Sequence, residues 1–165
     1  MSTYTPIASQ TLGSAAASVT FSSIPQGYTD LVVVASLQTT AVTDRVIAQF
    51  NNDTGNNYSW TRILGNGSSA TSNRYSNQNG TEIADYAPNS GSNFLASIIN
   101  IQNYSNSTTY KTNLVRYNNA DYVTVAVAGL WRNTNPITSI TLVPTSGGSN
   151  FKIGSTFTLY GIAAA

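Results

Sequence analysis

The chain contains no cysteine and no histidine among its 165 residues. Without cysteine there is no thiol nucleophile, disulfide, zinc finger or iron–sulfur site. Without histidine there is no imidazole ligand, no His-dependent triad and no side chain that titrates near neutrality unaided. Charge is scarce as well. Seven Lys and Arg stand against six Asp and Glu, and charged residues make up 8% of the chain, where an average soluble domain has roughly 25%. So few scattered bases cannot neutralise a phosphate backbone, which argues against nucleic acid as a partner. No apolar run approaches the roughly 18–20 residues that span a bilayer, so no membrane insertion is expected. Residues 1–10 lack the basic and apolar regions of a secretory signal.

In place of charge the chain carries 19 Asn, 21 Ser and 22 Thr, a neutral coat of amides and hydroxyls. Hydrophobic residues reach 41%, with ten Tyr, five Phe and two Trp, more than a disordered chain carries. Good helix formers are few, with one Met, one Glu and two Lys, while Val, Ile, Thr and Tyr abound, as pleated sheets prefer.

Apolar residues recur at period two between clusters of Gly, Asn, Ser and Pro. Residues 17–24 read as a strand closed by the turn Ile24-Pro25-Gln26-Gly27. Residues 28–37 contain Leu31-Val32-Val33-Val34-Ala35, apolar on both faces, the mark of a central strand covered by a second sheet and a neighbouring subunit. Residues 45–50 alternate, and 51–56 form a hairpin loop. Residues 57–64 then place Tyr58, Trp60, Arg62 and Leu64 on one side. Residues 65–91 read as a long polar surface excursion with only short strands, of the kind that often binds ligands. Residues 94–101 put Leu95, Ser97, Ile99 and Ile101 on a common face. Residues 108–117 and 120–131 follow, joined by Asn118-Asn119. In the second of these Val123, Val125, Val127 and Trp131 point into a core. Residues 137–143 and 156–162 complete the set. The expectation is all-β: one antiparallel β-sandwich over residues 1–165, jelly-roll-like, with about nine or ten strands, no helix and a short N-terminal arm over residues 1–16.

Candidate chemistry is thin. The acids are Asp30, Asp44, Asp53, Glu82, Asp85 and Asp121. Glycoside hydrolysis needs two carboxyl groups facing one bond, and Glu82 and Asp85, three apart, point to opposite faces of an extended strand. A glycan-active enzyme would therefore have to pair acids from different strands. Residues 51–57 offer oxygen ligands but only one carboxylate, Asp53, so they read as a polar hairpin rather than a calcium loop. No cofactor, metal or catalytic residue is expected. Six Asn-x-Ser/Thr sequons occur, about as many as chance gives in a chain so rich in Asn, Ser and Thr. The aromatics Tyr58, Trp60 and Tyr75 are the candidate contacts for glycan or a protein partner, since flat rings among amides suit sugar faces. The competing reading puts Tyr58 and Trp60 in the core. The apolar run 31–35 and the apolar end 159–165 exceed what a small neutral monomer exposes, so a closed homo-oligomer, expected to be a homotrimer, would bury them.

Several blocks together resemble a known family. These are Val19-Thr20-Phe21-Ser22-Ser23-Ile24-Pro25 with Tyr28-Thr29-Asp30-Leu31, Phe50-Asn51-Asn52-Asp53-Thr54-Gly55 with Asn57-Tyr58-Ser59, and Ile101-Gln102-Asn103-Tyr104-Ser105-Asn106 with Tyr110-Lys111-Thr112. The pair Trp131-Arg132 and the closing Gly154-Ser155-Thr156-Phe157-Thr158-Leu159-Tyr160-Gly161-Ile162 add to them. In this pattern, from about Tyr4 onward, the chain resembles small virion structural proteins of tailed bacteriophages, as found in aquatic phages. The resemblance implies a multimeric jelly-roll-like module of the virion, either a capsid decoration or cement protein or part of a tail fibre. It carries no active-site residues to transfer. The chain lacks the attachment domain and repetitive shaft of a long fibre, which favours an exterior decoration subunit contacting copies of itself and the major capsid protein. The alternative is a receptor-binding module for host surface glycan.

Overall fold

The computed structural model describes residues 4–163. It contains twelve strands in two antiparallel sheets and, among the described residues, no helix. The larger sheet holds eight strands: β1 (Tyr4–Thr11), β3 (Asp30–Leu37), β5 (Tyr58–Gly65), β6 (Ala70–Gln78), β8 (Leu95–Gln102), β9 (Lys111–Asn119), β10 (Val123–Trp131) and β12 (Thr156–Ile162). Their spatial order is β1-β12-β3-β8-β9-β10-β5-β6. The smaller sheet holds β2 (Val19–Phe21), β4 (Asp44–Phe50), β7 (Thr81–Ala87) and β11 (Ile140–Pro144), in the order β2-β11-β4-β7. The result is a β-sandwich, with a few more strands than the sequence suggests.

Alternation decides the faces, because successive side chains leave a strand on opposite sides. On β5, Tyr58, Trp60, Arg62 and Leu64 are buried while Thr61 and Ile63 face outward. On β8 the inward set is Leu95, Ser97, Ile99 and Ile101, and on β10 it is Val123, Val125, Val127 and Trp131. The apolar residues of these sets join Phe50, Ile83, Ile140 and Leu142 of the smaller sheet in one core cluster.

Three segments differ from expectation. Residues 4–11, read as part of an arm, form β1, paired with β12 from Tyr4↔Ile162 to Thr11↔Thr156. The turn between β9 and β10 falls later than Asn118-Asn119. Asn119 pairs with Val123, and the Tyr122 N–H donates to the Asn119 carbonyl across the bend. Residues 65–91 are a surface excursion only in part. Residues 70–78 are the exposed edge strand β6, whereas 81–85 are all buried in β7.

The polar residues of β7 are the seam between the sheets. Thr81 Oγ1 donates to Asn113 Oδ1 at 3.0 Å, Ser97 Oγ donates to the Ile83 carbonyl at 2.6 Å, the Tyr117 hydroxyl donates to Glu82 Oε1 at 2.6 Å, and Asn119 Nδ2 donates to the Tyr86 carbonyl at 3.0 Å. Each bond crosses from the large sheet to β7. Buried polar groups are tolerated because they are paired.

The seam explains Gly129. A Cβ there would stand 2.4 Å from both Asn113 Oδ1 and Thr81 Oγ1, inside the hydrogen bond those two atoms share. Gly129→Ala must break that bond or displace β10, and overpacking of this kind costs about 1–3 kcal/mol. Urea denaturation measures it; a midpoint equal to that of the parent would show that the seam yields freely.

The apolar segments credited to an oligomer interface mostly serve the chain's own interior. Leu31, Val33, Ala35 and Leu159 lie in the core, and Val32 is buried between Tyr160 and Asn100 of the flanking strands. Of residues 31–35, only Val34 stays open, at 40% exposure. Residues 164–165 of the apolar end lie outside the described residues.

Candidate functional site

The three aromatics singled out as ligand contacts have different fates. Tyr58 is fully buried between Phe50 and Trp131, with ring centroids 6.0 and 6.1 Å away. Its hydroxyl accepts from the Phe50 N–H at 2.9 Å and donates to the Asp53 carbonyl at 3.1 Å. No face of Tyr58 is open to a ligand, because an inward β5 position next to the hairpin puts it in the core. Trp60 is buried too, and Tyr75 of the edge strand β6 lies against it at 3.9 Å between centroids. Tyr75 is partly buried against the core and acts as a cover over Trp60.

Behind these two rings lies the densest concentration of charge in the molecule. The guanidinium carbons of Arg45 and Arg62 sit 5.4–5.9 Å from the Trp60 and Tyr75 ring centres, within cation–π range. Arg62 Nη1 donates to Glu82 Oε1 at 3.1 Å and to Asp85 Oδ2 at 2.6 Å. Arg45 reaches the same two acids from β4, with Nε 3.0 Å from Glu82 Oε2 and Nη2 3.5 Å from Asp85 Oδ2. The Arg45 Nε contact is an ion pair without hydrogen-bond alignment. Two cations and two anions thus cancel.

Glu82 and Asp85 point to the same side although they are three apart. The β4–β7 register runs Val46↔Ala84 and then Ile47↔Glu82, so β7 carries an extra residue between them and the alternation slips. Burial raises the Glu82 pKa even though Tyr117, Arg62 and Arg45 all favour its charged form. Burial opposes the charge of Arg62, but the Asp85 and Glu82 carboxylates outweigh it and raise its pKa. The Tyr117 hydroxyl is raised by burial and by Glu82 beside it, so it stays a donor.

This cluster has the residue types of a catalytic site without the access. Glu82 has no exposed surface, and both acids are occupied by arginines. What the arrangement does is tie β4 and β7 to β5 and β9. A signal for it stood in the sequence: Arg62 occupies an inward position in line with Tyr58, Trp60 and Leu64, and an arginine on a buried face requires a buried acid. The 51–57 hairpin is likewise committed internally. Asp53 accepts from Trp131 Nε1 at 2.7 Å, from Asn57 Nδ2 at 2.9 Å and from the Gly55 N–H at 2.9 Å.

The outer face of the large sheet is the other feature. Row by row across the strands stand Val34, Ile98, Arg116, Ala126 and Ile63, and beside them Val32, Asn100, Leu114, Ala128 and Thr61. Ile63 is 64% and Leu114 56% exposed. Between them the small side chains Ala126 and Ala128 form the floor of an open groove of about 440 Å³, with Arg116 and Asn100 on its margin. Arg116 has no acid partner among the described residues.

No family model matches the chain, and no curated protein matches it. Among solved structures it is similar to a crystallised protein of unknown function from Shewanella oneidensis MR-1, with a TM-score of 0.35 and 10% identity over 98% of this chain and 77% of that one.

Proposed function

We propose that the chain is a non-enzymatic structural subunit of a bacteriophage virion, an exterior capsid decoration or cement protein that assembles with copies of itself, as a homotrimer, and seats on the major capsid protein. The observation that carries the assembly part is the outer face of the large sheet. A row of open aliphatic side chains over an alanine floor with one cation has little to offer substrate chemistry, and much to offer a second apolar surface. The virion part rests on the resemblance of the sequence blocks. Two of those blocks meet in the fold, where the Tyr104 hydroxyl donates to the Pro25 carbonyl. The mechanism is mechanical: area buried between subunits and shell holds the particle against internal pressure, while the Asn, Ser and Thr surface keeps water on the outside.

Two measurements test this reading. Sedimentation of the purified protein at micromolar concentration is expected to show a trimer, and Leu114→Arg is expected to weaken association by at least about tenfold, since it puts a second cation beside Arg116 on an apolar contact. A parent chain that sediments as a monomer removes the assembly reading. Immunogold labelling of intact particles is expected to place the protein over the head, and particles lacking it are expected to lose genome at milder heat. Label confined to the tail would transfer the assignment to a fibre module.

A further inference from the structure

We propose that the cleft between the outer end of β7 and the β9–β10 hairpin binds a neutral oligosaccharide. The cleft measures about 290 Å³, and the residues that give it chemistry are Val42, Tyr86, Asn89, Asn119, Asp121 and Tyr122. It shares no residue with the apolar groove of the large sheet, so the inference stands apart from the assembly reading.

Two tyrosine rings form its aromatic wall. Tyr86 and Tyr122 have centroids 5.1 Å apart with planes tilted by 48°, and Tyr122 is 53% exposed. A tyrosine ring left open in this way offers a flat apolar face to the C–H side of a sugar ring and a hydroxyl at its edge. Neither hydroxyl has a hydrogen-bond partner among the described residues, unlike those of Tyr58, Tyr104 and Tyr117.

The polar groups are placed to meet hydroxyls. Asn93 Nδ2 donates to Asp121 Oδ2 and fixes the carboxylate, leaving Oδ1 as an acceptor for a ligand hydroxyl. Charge-assisted bonds to a fixed carboxylate are the strong kind. The Asn89 side-chain amide has no partner among the described residues, while its carbonyl is held from behind by Lys152 Nζ at 2.8 Å and the adjacent Pro88 carbonyl by the Thr39 N–H at 3.1 Å. The wall is therefore held before any ligand arrives, as binding sites usually are.

The backbone shows that the arrangement is imposed. Tyr86 has φ of 59° and Thr43, on the opposite lip, φ of 50°. That left-handed region is unfavourable for a β-branched or aromatic residue, and such outliers persist only where surroundings hold them. At Tyr86 the holders are the Asp85 carboxylate, which accepts its N–H at 2.9 Å, and Asn119, which donates to its carbonyl at 3.0 Å. Tyr86 falls in the β7 bulge between Ala84 and Ala87, beside Tyr122.

Two features narrow the ligand class. No arginine lines the cleft, and the one lysine nearby is committed to the Asn89 carbonyl. An acidic sugar would bring its charge against Asp121 with no cation to compensate, so the ligand is neutral. On the far side of the hairpin a second cleft of about 220 Å³, which includes Asn66 and Thr124, also uses Asn119, Asp121 and Tyr122. Tyr122 stands between the two clefts, which suits a chain of sugar units rather than one.

The test is saturation-transfer NMR on the purified full chain with four neutral trisaccharides built on glucose (α- and β-linked), mannose and N-acetylglucosamine, and with sialyllactose as the acidic probe. At least one neutral probe is expected to receive saturation at millimolar concentration, and sialyllactose none. Tyr122→Ala and Asp121→Asn, both at exposed positions, are each expected to weaken the neutral probe by about tenfold or more, while Tyr110→Ala, an exposed tyrosine elsewhere, leaves it unchanged. Absence of transfer from all four neutral probes overturns the proposal. So does binding that survives Tyr122→Ala in a chain whose folding is verified by its denaturation midpoint, or equal binding of sialyllactose.

Discussion

Replacing Arg62 by leucine is expected to lower the unfolding free energy by about 3–5 kcal/mol, the cost of leaving buried carboxylates without their cation. Glu82 has no exposed surface, and Asp85 has little. Among the described residues, Arg62 Nη1 is the one nitrogen that hydrogen-bonds both acids. Arg45 remains in the variant, but it enters from the solvent side and lacks hydrogen-bond alignment at Nε, so it compensates only in part. A second variant, Arg62→Leu with Glu82→Leu, is expected to recover much of the loss, because removing both charges removes the cost of burying them. Urea denaturation of the parent and both variants reads the difference. A loss below about 1 kcal/mol for Arg62→Leu would mean that the cluster behaves as a surface ion pair does.

The pH dependence has a defined sign. Burial raises the Glu82 pKa above its ordinary 4.5. Between 4.5 and that raised value the native state keeps a proton that the unfolded chain has already released. Stability attributable to Glu82 therefore falls as pH rises across this window. Arg62→Leu removes one of the groups that favour the charged form, so the window extends to higher pH.

Trp131→Ala is expected to cost a comparable amount, about 3–5 kcal/mol. The ring is fully buried, meets Phe50 edge-on at 5.6 Å and stacks on Tyr58 at 6.1 Å. Truncation opens a cavity where β10, β5 and β4 meet the 51–57 hairpin. Trp131→Phe separates the two roles of the residue, since it keeps most of the packing and loses only the Nε1–H that Asp53 accepts at 2.7 Å. Burial opposes the charge of Asp53, but the donors Trp131, Asn57 and Gly55 outweigh it and hold its pKa below 3.8. The stability this carboxylate adds is present above 3.8 and is lost as pH falls through the lower native value. In Trp131→Phe that contribution is smaller, and acid unfolding begins at higher pH. An acid-unfolding curve that superimposes on the parent's would show that the indole bond contributes nothing.

The sequence by itself determined the all-β class and the inward face of most strands. Alternation at period two is a local property, and an interior that favours apolar side chains selects one of the two faces, as at Val123, Val125, Val127 and Trp131 or at Leu95, Ile99 and Ile101. The absence of cysteine and histidine removed whole chemistries before any fold was known. Tertiary structure decided what the polar residues do. Residues 81–85 read as solvent-facing because they carry Thr, Glu and Asp, yet they are buried between the sheets, where Thr81, Glu82 and Asp85 each meet a polar group from a distant strand. Composition does not tell a polar group that faces water from one that faces a partner. The β7 bulges likewise have no local signature, and they alone turn Glu82 and Asp85 to one side and put Tyr86 beside Tyr122. For the same reason aromatic rings singled out by polar surroundings proved to be core at Tyr58 and Trp60, while the partly buried Tyr86 and the exposed Tyr122 come from β7 and the β9–β10 turn, which approach each other only in the folded chain.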